Sequence, residues 1–186
     1  MACVEVSPLA PFNPAPSKRI MEPMTLLTAE ELLAWLETTS TNWRALATTH
    51  PDLLALPCDI YGTQTVAHLL QHITVVELRY AQRILGLPES AYEDISTESI
   101  ATIYAAHDRA AALYRQALAT PGLDWETPFK FKTRSVGVLL ASSRTILIHA
   151  VMHSIRHYAQ LATLVRQHGI KPTWSMDYLF MGATRP

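Results

Sequence analysis

Cysteine is nearly missing from this chain: only Cys3 and Cys58 occur in 186 residues, and they form no Cys-x-x-Cys pair. Two thiols cannot make a disulfide framework, so the fold has to rest on a hydrophobic core. The expected compartment is a reducing cytoplasm. Charge is scarce as well: 17% of residues are charged and the net charge is −1. No basic patch suits a nucleic acid, and there is no acidic tail. Long apolar runs are also missing. His, Gln, Arg or Thr interrupts each run well short of the ~20 residues that cross a bilayer, so no membrane association is expected. The first residues have no continuous apolar stretch of the kind a cleavable signal needs.

What remains is an ordinary globular composition, 49% hydrophobic, with enough length for one domain. Pro8, Pro11, Pro14 and Pro16 mark residues 1–24 as an extended, polyproline-like tail. Met21 and Met24 stand just ahead of the first helix signal, and either is a candidate for the natural start of the chain. Residues 25–186 read as a single domain, without internal repeats.

Four helical segments stand out. The first, Thr28 to Thr48, opens with the capping box Thr28-Ala-Glu-Glu31 and carries an apolar stripe of Leu32, Leu33, Leu36, Trp43 and Leu46. The second runs from Thr65 to Leu85 and stops at Gly86. The third runs from Thr97 to Ala119, closed by Pro121-Gly122. The fourth runs from Ser142 to His168 and ends at Gly169. Alternation in Phe129-Lys-Phe131-Lys and Val136-Gly-Val138 suggests a small hairpin before the last helix. The end of the chain, from Trp174, is too apolar for a free tail and is expected to pack on the domain or on a partner subunit. The fold class that follows is all-α, a four-helix bundle with a short irregular or hairpin segment before the final helix.

The fourth helix carries His149, His153 and His157 at four-residue spacing. An α-helix turns ~100° per residue, so such residues stack along one face. A helical wheel separates the three. With Ile146 at the origin, His157 falls near ~20° and His153 near ~340°, on the edge of the apolar arc. His149 falls near ~300°, among polar residues, at a pocket mouth or in solvent. The same construction on the second helix puts His72 on the edge of its apolar arc and His68 further out. His72, His153 and His157 are therefore the expected ligands of one metal ion. Three imidazoles leave a coordination position open, as in reactive sites. Imidazole suits zinc, nickel, iron or copper, so residue type does not name the metal. Ser154 stands where the glutamate of the His-Glu-x-x-His motif would be, so no protease mechanism follows. Gln160 falls beside the two histidines and could line the pocket or bond a ligand. Glu77 falls inside an apolar arc and is expected to pair with an arginine from another helix. Lys130, Lys132 and Arg134 are expected on a solvated hairpin face, with steering of an anion as the alternative. His50, His107 and His168 look like surface residues.

The run His149-Ala-Val-Met-His153-Ser-Ile-Arg-His157-Tyr-Ala-Gln160, continuing to Gly169, resembles the closing helix of the DinB/YfiT-like superfamily. His68-Leu-Leu-Gln-His72-Ile, followed by Glu77, resembles the superfamily's first ligand helix. Gly169-Ile-Lys-Pro172 and Asp177-Tyr-Leu-Phe180 resemble its ending, so the resemblance spans about Thr28 to Phe180. It implies a bundle, often homodimeric, with a divalent metal held at His72, His153 and His157. Zinc or nickel comes first and iron second. His68, His149 and Gln160 would line the pocket. The chain departs from the pattern at Tyr158, where members often have arginine, which puts in doubt an anion contact from that position. Members of known activity include transferases and isomerases that use low-molecular-weight thiols. The implied activity is thus thiol-dependent S-transfer, with an external small-molecule thiol and an electrophile as partners. A metal-dependent hydrolase and a non-enzymatic dimeric stress or scaffold protein with a vestigial site are the alternatives.

Overall fold

A computed structural model of the protein describes residues 26–133 and 136–184. The expected N-terminal tail and Arg134 lie outside the described residues. Within them the chain forms α1 (Ala29–Thr49), α2 (Val66–Ile84), α3 (Ile100–Ala119), β1 (Phe129–Thr133), β2 (Gly137–Ala141) and α4 (Ser143–Gln167). This is the expected all-α bundle with a hairpin ahead of the last helix.

Each helix begins where a hydroxyl can accept an otherwise unpaired N–H. The Thr28 side chain accepts from the Glu31 N–H at 3.1 Å, and Glu31 accepts from the Thr28 N–H at 2.7 Å. Thr65, Ser99 and Ser142 cap α2, α3 and α4 in the same way. Such a cap contributes about 1 kcal/mol. Ser99 moves the start of α3 past the expected Thr97, because its hydroxyl takes the Thr102 N–H at 3.1 Å.

The two helices that carry the histidines also end alike. Gly86 (φ 66°) follows α2, and Gly169 (φ 81°) follows α4. Leu87 N–H returns to the Gln82 carbonyl at 2.8 Å, and Ile170 N–H to the Val165 carbonyl at 3.0 Å. Both are closures through a left-handed residue, which glycine adopts without strain.

α2 lies at the centre, packed against both α3 and α4, and α1 covers the remaining faces of α3 and α4. The core falls into two clusters, one holding Leu36, Trp43, Leu69 and Leu161 and the other Leu78, Tyr114 and Leu147. Leu69, Leu78 and Leu161 are completely buried. Each contributes roughly 1.5–3 kcal/mol of transfer free energy. The chain end folds back on α1. Trp35 Nε1 donates to the Met176 carbonyl at 2.9 Å, and Trp174 meets Trp43 edge-on at 5.4 Å. In the hairpin, Phe131 pairs with Leu139 and Lys132 with Val138. The phenylalanines of β1 are half-buried, and its lysines are exposed. No helix of the described residues is long and apolar enough to cross a membrane.

Candidate metal centre

α2 and α4 bring His72, His153 and His157 together. All three are buried, and each offers a ring nitrogen such that the three nitrogens lie within 4.8 Å of one another. The closest pair is His72 Nε2 and His153 Nε2, 3.1 Å apart. An ion ~2.0–2.1 Å from two tetrahedrally disposed nitrogens holds them ~3.3 Å apart, so this separation already matches. Ring centroids stand 5.1 Å apart for His72 and His157, and 4.5 Å for His153 and His157.

The protonation state suits a ligand set. Burial, reinforced by His157, His72 and Arg156, pushes the His153 pKa down to about 2. Burial and Arg156 also lower His157. Neutral imidazole is the form that binds metal. His157 is further fixed in one tautomer from two sides. Its Nδ1 lies 2.8 Å from Gln160 Oε1, which can only accept, so Nδ1 carries the proton. Arg156 Nη2, which can only donate, lies 3.3 Å from His157 Nε2, so Nε2 carries the lone pair. A ligating histidine commonly gives its other N–H to such an acceptor. His72 has its Nδ1 3.5 Å from the Tyr92 hydroxyl, leaving Nε2 toward His153. The Nδ1 of His153 is buried without a hydrogen-bond partner. The donor set therefore fits a divalent transition metal: three buried imidazoles with converging nitrogens, two of them held neutral and one, His157, in a fixed tautomer.

Two tyrosines from loops complete the surroundings. Tyr61 stacks on His72 at 4.6 Å and meets His157 edge-on at 5.9 Å. Its backbone is left-handed (φ 56°, ψ 28°), unusual for a bulky residue. Such outliers gather at functional sites. Tyr92 stacks loosely on His72, with centroids 6.2 Å apart. Neither tyrosine belongs to a periodic stretch, since both sit in short 3₁₀ turns between helices.

The other expected residues distribute as follows. His149 is exposed and 5.7 Å from His153, centroid to centroid, outside the triad but on the same cleft. His68 is exposed, and its ring is held by Thr65 at 2.9 Å. Gln160 reaches the site through His157. Lys132 lines the cleft beside the triad, whereas Lys130 does not. Tyr158 is fully buried, with its hydroxyl 3.1 Å from Ser40 Oγ and 3.3 Å from that of Tyr104. No anion reaches it from solvent.

Two expectations fail at one place. Glu77 is buried, but its partner is His107 rather than an arginine: His107 Nδ1 lies 2.6 Å from Glu77 Oε2. His107 is accordingly buried between α3 and α2, not on the surface. Burial lowers its pKa, Glu77 raises it more, and the net shift is upward. The pair is structural and separate from the triad. His50 and His168 are exposed, as expected.

No curated protein matches the chain. The family model described as the DinB family matches residues 21–184. That span takes in all four helices, the hairpin and the three histidines, and the chain belongs to the DinB family.

Proposed function

We propose that this protein is a divalent-metal-dependent transferase that moves a small external thiol onto an electrophile, with zinc or nickel, or else iron, at His72, His153 and His157. The observation that carries the metal is the fixed tautomer of His157 within a triad of buried imidazoles. When bound, such an ion stabilises a thiolate over a thiol and so supplies the nucleophile at neutral pH. The chain's own residues do the rest. The three histidines leave a coordination position for the thiol. Gln160 holds the His157 ring in its ligating orientation. Tyr61 and Tyr92 wall the approach beside His72. The thiol has to come from outside, because Cys58, the cysteine among the described residues, is buried at the base of the 57–65 connection.

Transfer is favoured over hydrolysis by the lining of the cleft that touches His72 and His153. Its described lining holds no Asp or Glu, and the carboxylates nearest the triad, Glu93 and Glu98, line a wider compartment beside His72, which does not include His153, so the side of the site that His153 shares has no carboxylate general base. The proposal includes a homodimer, supported by exposed Ile148 and Met152 on α4 and Val138 and Leu140 on β2. It also includes a cytoplasmic location, which a buried unpaired cysteine suits. Untagged metal-loaded protein offered a thiol series with several electrophiles tests the reaction class. Turnover with at least one thiol, lost in His153→Ala, is expected. Turnover of an ester or amide with no thiol-dependent reaction would replace this reading with the hydrolase. Bound metal without any turnover would favour the scaffold protein.

A further inference from the structure

Tyr61, His72 and Tyr92 line two compartments at once, so the triad sits at the junction between them. The compartments differ in charge. The wider one, of ≈ 900 Å³, is lined by polar and acidic side chains that include Gln64, His68, Gln71, Glu93 and Glu98. The narrower one, of ≈ 250 Å³, reaches His153 and is lined by Arg79, Arg83, Lys132 and Arg156, with no Asp or Glu among its described lining.

The four cations are not equally committed. Arg79 and Arg83 share Glu89, with contacts of 2.7 Å and 2.6 Å. Lys132 and Arg156 have no carboxylate partner among the described residues. Arg83 is the most informative. Its side chain is only 6% exposed, it lies over the Tyr80 and Phe131 rings, and its Nη1 is buried with no hydrogen-bond partner. A buried guanidinium nitrogen without an acceptor costs free energy that a bound anion would recover. One carboxylate, Glu89, faces two arginines there, so the wall keeps a surplus of positive charge even before Lys132 and Arg156 are counted.

We propose that the narrow compartment binds the anionic group of one substrate, a small carboxylate- or phosphate-bearing thiol, with Arg83, Lys132 and Arg156 as its recognition residues. The carboxylates of the wider compartment disfavour the anionic thiol there, which leaves that side of the Tyr61–His72–Tyr92 partition to the second substrate. This rests on the reading of the triad as a thiol-binding metal centre. It adds the charge of the thiol and the side from which it enters.

The test is a binding measurement on cobalt-loaded protein, following the thiolate-to-metal absorption band with 3-mercaptopropionate and with neutral 2-mercaptoethanol. At low salt 3-mercaptopropionate is expected to bind about tenfold more tightly, an advantage that mostly disappears at 0.5 M salt. The variant Lys132→Gln changes one exposed residue, on β1. It should remove most of that advantage and leave 2-mercaptoethanol unchanged. Mercaptoethyl phosphate in parallel shows whether phosphate or carboxylate is preferred, and a tenfold gain by either supports the site. Equal affinity for charged and neutral thiols overturns the anion site but leaves the metal centre standing, since both still give the band. If neither thiol gives a band, the metal centre fails as a thiol site, and calorimetry of succinate with metal-free protein decides the cleft. Binding weakened in Lys132→Gln supports it, and no binding overturns it.

Discussion

Gln160→Ala removes the hydrogen bond on the far nitrogen of the candidate ligand His157. Gln160 is exposed on α4, and its Oε1 receives the His157 Nδ1–H at 2.8 Å. Truncation to Ala keeps helix propensity high and removes no buried surface, so stability should change by no more than about 0.5 kcal/mol. The effect on metal should be larger. Loss of an outer acceptor frees the ring to rotate and lowers the basicity of Nε2, which typically costs 10–100-fold in metal affinity, or about 1.4–2.7 kcal/mol. Gln160→Glu keeps an acceptor at the same place and should bind metal at least as well as the native protein. The assay is zinc competition against a fluorescent chelator at fixed pH, with urea unfolding of the metal-free proteins alongside. If Gln160→Ala binds zinc within twofold of the native protein, the tautomer argument is refuted. If Gln160→Glu falls as far as Gln160→Ala, acceptance of the Nδ1 proton is not what matters.

Three further outcomes follow from the packing and the titrating groups. His107→Leu leaves Glu77 as a buried carboxylate without its partner, and should cost about 3–5 kcal/mol in urea unfolding; the double variant with Glu77→Leu should recover a large part of that loss. Leu161→Ala opens a cavity at a completely buried site and should cost about 2–5 kcal/mol by the same measurement. The pH dependence of metal-free protein has a sign set by His153, whose folded pKa lies near 2, below its unfolded value of about 6.5. The unfolded chain binds the proton and the native one does not, so stability is retained above pH ~6.5 and falls as pH drops, by up to about 1.4 kcal/mol per unit. His107 acts oppositely: its contribution is full below pH ~6.5 and fades as pH rises through its raised folded value. His153→Phe should flatten the acid limb; an unchanged slope would refute the assignment.

The parts of this structure legible in the sequence are those written in local chemistry. Thr28, Thr65 and Ser142 each mark a helix start because a cap needs only residues three positions on. His153 and His157 share a face because of helix pitch, and His72 follows from the same wheel on α2. The parts that were not legible depend on chain distant in sequence. Glu77 meets His107 across 30 positions, on a helix whose buried face is largely alanine, including Ala106, Ala110 and Ala117, so its apolar stripe is faint. Tyr61 and Tyr92 come from turns without periodicity. The cationic cleft draws on α2, α4 and β1 together, and no single segment shows the surplus of charge that assembly creates.

His72, His153 and His157 converge as the candidate ligands of one metal ion. X-ray absorption on untagged, zinc-loaded protein reads that ligand set directly. Three imidazole nitrogens at ~2.0–2.1 Å with one further light-atom ligand are expected, and His72→Ala should lose the ion or one imidazole from the shell. A zinc shell dominated by carboxylate or sulfur, one unchanged in His72→Ala, or no bound zinc at all would contradict it.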